Sequence, residues 1–157
     1  MTAGSGSAAV TADRTIVATR LFDAPQALVF KAFTDREHIG KWWGPNGFTT
    51  TTHEMDVRPG GAWRFIMHGP DGVDYPNLIV YTEVVSPERL AYDHSDDDGG
   101  NSFRALVELT EEDGKTRVTM TGIFATAAER ERVEAEFGAV EGAEQTLARL
   151  AEHLAGR

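Results

Sequence analysis

Through the middle of the chain, apolar and polar residues alternate with the period of a β-strand, and near its end apolar residues recur at helical spacing. Residues 15–22 are rich in β-branched side chains and predict a first strand. Asp23 with Gln26 three positions on forms a capping box, with Pro25 tolerated in the first turn. The helix it opens carries Val29, Phe30 and Phe33 on one stripe. Thr34-Asp35-Arg36-Glu37 repeats the signal and predicts a second short helix through Ile39, which Trp42-Trp43-Gly44-Pro45 terminates.

Two alternating runs then meet at Pro59-Gly60-Gly61, a fixed φ followed by residues free to take positive φ, and residues 54–67 predict a hairpin. With a three-residue loop, Val57 falls opposite Trp63 and Met55 opposite Phe65. That makes one apolar face with Met67 and leaves Asp56 paired to Arg64 on the other. Gly69-Pro70-Asp71-Gly72 is a turn. Further strands follow at 77–85, 89–94, 103–109 and 117–124, with 93–100 read as an acidic loop. The connections are too short for parallel crossovers, so about seven strands form an antiparallel sheet. Thr126 to Glu129 is a third capping box, and Gly138 breaks the helix that it opens. Beyond the break, Val140, Ala143, Leu147, Leu150 and Leu154 form one stripe, with Glu141, Glu144, Arg149 and Glu152 outside. A helix with one such stripe must lay it on the sheet. The fold class is α+β.

Composition narrows the partners. The chain has 157 residues and a net charge of −10, which disfavours nucleic acid and anionic membranes as partners. No run approaches the ~18 apolar residues of a membrane span. With no cysteine there is neither a disulfide framework nor a thiolate metal site. Residues 1–13 are rich in Gly, Ser, Ala and Thr and are expected to be a disordered leader rather than a signal peptide. Residues 14–157 are then a single domain, with the cytoplasm the expected compartment.

The run Phe22-Asp23-Ala24-Pro25, the Trp42-Trp43-Gly44-Pro45 corner, Asp56-Val57-Arg58-Pro59-Gly60-Gly61, and Gly142 with Leu147 and Leu150 resemble the activator of heat-shock protein 90 ATPase homologue family. That family lies within the SRPBCC superfamily, with START domains, polyketide cyclases and birch-pollen-allergen-like proteins. The resemblance spans residues 15–154. It implies a helix-grip fold, a curved sheet wrapped around a long C-terminal helix with an apolar cavity between them. It also implies, by family analogy alone, a chaperone partner and a place in the stress response, and it leaves a homodimer open. Family members usually carry Trp where this chain has Ala143, so the resemblance implies a larger cavity here.

The cavity-facing residues expected from the pattern and the resemblance together are Trp42, Trp43, Met55, Trp63, Phe65, Met67, Tyr81, Glu83, Phe103, Met120, Val140, Ala143 and Leu147. Ordinary core packing competes with wall-lining for every large apolar one. Glu83, between Tyr81 and Val85, is an inward carboxylate if the alternation is unbroken, and Tyr75, Tyr81 and Tyr92 are candidate polar anchors. The five histidines are scattered, with only His53 and His68 placed to approach each other, so no metal site is expected. Asp93, Asp96, Asp97 and Asp98 lack the alternation of a calcium loop. No nucleotide, nucleophile-elbow or zinc-protease motif occurs, and no cofactor or catalytic residue is assigned. The leading reading is binding of a small hydrophobic ligand. One alternative is a cyclase/aromatase-like enzyme using Glu83, Tyr81 and Arg20; the other is a protein-interaction module.

Overall fold

A computed structural model describes residues 13–96 and 102–156. The expected leader, apart from Asp13, and the Asp97–Asp98 part of the acidic run lie outside the described residues. Seven strands form one antiparallel sheet: β1 (Thr15–Phe22), β2 (Thr49–Met55), β3 (Ala62–His68), β4 (Asp74–Val85), β5 (Arg89–Asp96), β6 (Phe103–Glu112) and β7 (Lys115–Ile123). Their order is β1-β7-β6-β5-β4-β3-β2, so β1 closes from the amino-terminal side against the last strand. Helices α1 (Gln26–Thr34) and α2 (Arg36–Trp42) stand between β1 and β2. Helices α3 (Ala127–Phe137) and α4 (Ala139–Ala155) follow the sheet. This is the helix-grip fold. β5 runs two residues further than the alternation suggests, so Asp93 and Asp96 belong to a strand rather than a loop.

The helix ends correct two of the three caps. α1 starts at Pro25 without a side-chain cap, because Gln26 reaches away to donate to the Leu109 carbonyl (2.8 Å). Asp35, not Thr34, caps α2 by accepting from the Glu37 N–H (2.9 Å), while the Thr34 hydroxyl turns back to the Phe30 carbonyl. The third box holds: Thr126 Oγ1 accepts from the Glu129 N–H (3.0 Å). Gly138 separates α3 from α4 at φ 60°, a conformation that costs other residues energy. From α4, Leu147, Leu150 and Leu154 are buried. At about 1.5–3 kcal/mol for each buried leucine, this stripe outweighs the weak helix propensity of Gly142 and Thr146.

The hairpin register differs from the expected one. Met55, not Val57, faces Trp63, and Glu54 rather than Asp56 faces Arg64, with a bulge between Thr52 and Glu54. The turn claims more of the chain than three residues. Asp56 accepts at its carbonyl from Arg58 N–H, and Arg58 accepts from Gly61 N–H. Gly60 N–H donates to Tyr81 O (2.8 Å) and Tyr81 N–H to Gly61 O (2.9 Å), so the loop is drawn onto β4. The Asp56 carboxylate pairs with Arg58 at 2.7 Å, and Arg64 pairs with Glu54 at 3.5 Å. A Cβ on Gly61 would overlap the Asp56 carbonyl oxygen. Gly61→Ala is expected to lower stability by about 1–3 kcal/mol in a urea titration; an unchanged midpoint would remove the close approach as the reason for glycine here.

On the inner face the ladder aligns Met55, Trp63, Ile79, His94 and Phe103 in one row across five strands. Helices α1 and α2 cover one end of this face with Val29, Phe30, Phe33, Ile39 and Trp42, all buried. The sheet therefore has one closed end, and α4 packs on β1 and reaches α2.

Candidate functional site

Between the sheet and the start of α4 lies an apolar pocket of about 200 Å³. Trp43, Gly44 and Pro45 from the corner after α2 form one rim, and Ala139, Ala143 and Thr146 of α4 form the roof. The floor comes from the sheet, with Met67, Tyr92, His94, Phe103 and Met120 among its side chains. A wider, more open depression of about 630 Å³ beside Arg14, Asp93 and Arg104 shares Phe103 and Phe124 with it. The smaller space is the more apolar and the less open of the two, and apolar surroundings are what a hydrophobic molecule gains from burial.

The corner is held in place by the helix it faces. Arg149 Nη1 donates to the carbonyls of Gly44 (2.9 Å) and Pro45 (3.0 Å), with Trp43 O at 3.5 Å. Gln145 accepts from the Asn46 N–H at 3.1 Å. The stripe analysis placed Arg149 on the outer face of the helix. Its guanidinium instead satisfies carbonyls that the Gly-Pro turn leaves without helical partners.

Five of the thirteen expected residues meet at the pocket: Trp43, Met67, Phe103, Met120 and Ala143. Ala143 is half-buried in the roof, where the family resemblance implies Trp. Trp42, Trp63, Phe65, Tyr81 and Leu147 are buried in the core instead. Trp42 donates its indole N–H to Ala32 O (3.1 Å) and meets Phe33 edge-on, so its work is to fix α2 to α1. Trp63 stacks on Phe65 with ring centroids 3.8 Å apart, and Trp43 meets Trp63 edge-on at 5.3 Å. Trp43 thus has one side in this aromatic cluster and one on the pocket. Met55 packs at the core's margin, and Val140 is half-buried outside the pocket lining.

Glu83 is a correction. A bulge between Tyr81 and Glu83 inserts an extra residue and reverses the alternation, so Glu83 pairs with Ala91 on the outer face. There it lies 2.6 Å from Arg89 Nε, and Arg89 Nη1 lies 3.2 Å from Glu108. Arg20 is exposed on β1. The three groups named for acid–base chemistry therefore do not converge. Tyr75 is half-buried near Phe48.

The histidines are less scattered than the sequence suggests. His38 Nδ1 and His153 Nε2 are 2.9 Å apart, joining α2 to the end of α4, and burial with the neighbouring His38 and Lys41 charges lowers the His153 pKa. His68 bonds Asp74 and Thr51, both at 2.8 Å, rather than His53. His94 was not singled out, yet it lies at the pocket floor as a polar residue with a side-chain partner. Its Nε2 bonds Asn77 Oδ1 at 2.9 Å, and the rings of Phe65, Tyr92 and Phe103 surround it. Burial pushes its pKa down to about 4. The available signal was the period-two series Leu90, Tyr92, His94, all three on the inner face. Among the described residues no cluster of three or more His, Asp or Glu side chains is arranged to hold a metal ion.

The model of the Activator of Hsp90 ATPase homolog 1-like protein family matches residues 23–155. The chain belongs to this family. Two crystal structures are closely similar to the AHSA1-like chain. A protein from Nitrosomonas europaea is 27% identical with a TM-score of 0.83, the match covering 92% of this chain and 96% of that one. A protein from Mycobacterium smegmatis is 29% identical with a TM-score of 0.83, over 93% and 94%. A solution structure from Arthrobacter aurescens, 24% identical with a TM-score of 0.84 over 94% and 89%, shares the fold. No curated protein matches the sequence. No helix among the described residues is long and apolar enough to cross a membrane.

Proposed function

We propose that this AHSA1-like protein binds a small hydrophobic molecule in the pocket between the sheet and α4. The observation that carries the reading is the composition of that pocket. Its walls are mainly aromatic and aliphatic, and His94 with its partner Asn77 stands at the floor as a polar anchor. Size limits the ligand. About 200 Å³ is below the roughly 300–1,000 Å³ of drug-sized sites and somewhat above the ~150 Å³ cavity that holds benzene. A one- or two-ring aromatic, or an aliphatic chain of similar volume, fits.

The test fills the pocket from its roof. Ala143→Trp restores the side chain that the family resemblance implies and projects it into the space beneath α4. Saturation-transfer NMR with naphthalene is expected to show binding to the wild type and none to the variant. The melting temperature should be unchanged or raised, since filling a cavity commonly contributes about 0.5–2 kcal/mol. Equal naphthalene binding by both proteins would sink the proposal. Native mass spectrometry of freshly purified wild-type protein, followed by extraction, would name a ligand retained from the cell.

A further inference from the structure

The polar floor of the pocket makes a more specific statement than its apolar walls. Asn77 Nδ2 donates to the Tyr75 carbonyl at 2.7 Å, which fixes the amide with its oxygen toward His94. The 2.9 Å contact from Asn77 Oδ1 to His94 Nε2 then requires the imidazole proton to be on Nε2. Burial keeps the ring neutral at physiological pH. In a neutral imidazole with its proton on Nε2, Nδ1 is a lone-pair acceptor. His94 Nδ1 has no hydrogen bond to any described residue, and His94 is one of the residues that line the pocket. The rings of Phe65, Tyr92 and Phe103 pack around the imidazole, and the pocket that His94 lines is the space from which a donor would reach it.

Charge points the same way. No lysine or arginine is among the described residues lining the pocket. The Nη1 of Arg149, on the helix above, is committed to the carbonyls of the Trp43–Pro45 corner. The Thr146 hydroxyl donates to Gly142 O at 2.8 Å. A carboxylate placed on the floor would meet an acceptor nitrogen, and the nearest cation, Arg149, spends its Nη1 on the rim carbonyls, inside a protein of net charge −10.

We propose that the pocket selects neutral aromatic or alicyclic molecules bearing a hydroxyl or N–H group, which donates to His94 Nδ1, and rejects the corresponding carboxylates. The inference rests on the ligand-binding reading above and adds the chemical class. A phenol-like ligand lays its ring between Trp43, Met67 and Phe103 and its O–H on the imidazole. A plain hydrocarbon fills the same space but strips water from Nδ1 without replacing the bond. One neutral hydrogen bond is a factor of roughly 3–10 in affinity.

Three probes that share the naphthalene ring separate the outcomes: 2-naphthol, naphthalene and 2-naphthoate, titrated into wild-type protein at pH 7 by calorimetry or ligand-observed NMR. The expected order is 2-naphthol tighter than naphthalene by about 3–10-fold, with 2-naphthoate weaker than naphthalene. His94→Phe keeps an aromatic ring at the floor, slightly larger than the imidazole, and should abolish the naphthol advantage while retaining naphthalene. Should that variant fail to fold, a histidine ¹⁵N spectrum of the wild type reads the same atom. Nδ1 of His94 should resonate as an unprotonated nitrogen at pH 7, and move on adding 2-naphthol but not naphthalene. Naphthol and naphthalene binding equally, naphthoate binding as well as naphthol, or a protonated Nδ1 would each overturn the selectivity. If naphthalene still binds wild type and not Ala143→Trp, the pocket itself stands. If no probe binds at millimolar concentration, both proposals fall.

Discussion

Trp63→Ala is expected to destabilise the protein by about 3–5 kcal/mol, the largest effect of any single substitution considered. Trp63 is 1% exposed and is the β3 member of the row that crosses β2 to β6. Its ring stacks on Phe65 and receives the edge of Trp43, and its indole N–H donates to Thr52 Oγ1 at 3.1 Å. Truncation to alanine leaves a cavity that the closed end of the sheet cannot collapse, because α1 and α2 pin the other side. It also removes two aromatic contacts, each contributing about 0.5–1.5 kcal/mol beyond area alone. Trp63→Phe keeps most of the volume and should cost less than half as much. Equilibrium urea unfolding followed by far-UV circular dichroism measures both. A loss below about 1 kcal/mol for the alanine variant would place Trp63 on the wall of an open cavity and not in the core, since a residue facing empty space has few contacts to lose.

Mild acid should weaken the fold through His94. In the unfolded chain its pKa is near 6.5, and burial lowers it to about 4 in the folded state. Between those values the unfolded chain binds more protons, so stability rises with pH across the window. The contribution is fully present above about pH 6.5 and is lost as the pH falls toward 4. Integrating the difference gives about 2 kcal/mol lost by pH 5, as an upper value because the imidazole opens on the pocket. His153, lowered by burial and by its neighbours His38 and Lys41, adds in the same direction. Urea midpoints at pH 7.5, 6 and 5 should therefore fall for the wild type, and His94→Phe should flatten the 6.5-to-5 portion. Carboxylate titration lies mostly below this window. An equally steep fall in His94→Phe would remove His94 as its cause.

How much of this was legible beforehand depended on whether a feature is encoded locally. The strand alternation, the Thr126–Glu129 cap, the Gly138 break and the Leu147-Leu150-Leu154 stripe each follow from a few adjacent side chains, and all are present in the fold. The connection lengths required antiparallel pairing, and the family motifs added the helix-grip arrangement. The phase of a strand is different, because one inserted residue reverses every side chain beyond it. The bulge at Tyr81–Glu83 and the one before Glu54 arise where neighbouring strands curve and where the Gly60-Gly61 loop bonds to Tyr81, and those partners are distant in sequence. So Glu83 turned outward, and a turn that takes in Asp56 to Gly61 brought Met55 to the place assigned to Val57.

The pocket was decided at the same level. By itself the sequence determined which residues are apolar, where helices begin and end, and that Ala143 is small. Only the tertiary structure decided that Trp42 and Trp63 are core while Trp43 is wall. It also decided that Arg149 turns inward to three carbonyls and that His94 stands on the floor with its proton directed to Asn77. The reason is physical: burial and tautomer are properties of a three-dimensional neighbourhood. His94 has Tyr92 beside it on its own strand, but it acquires its partner from β4 and the rest of its low dielectric from rings on β3 and β6, which its neighbours in sequence do not reveal.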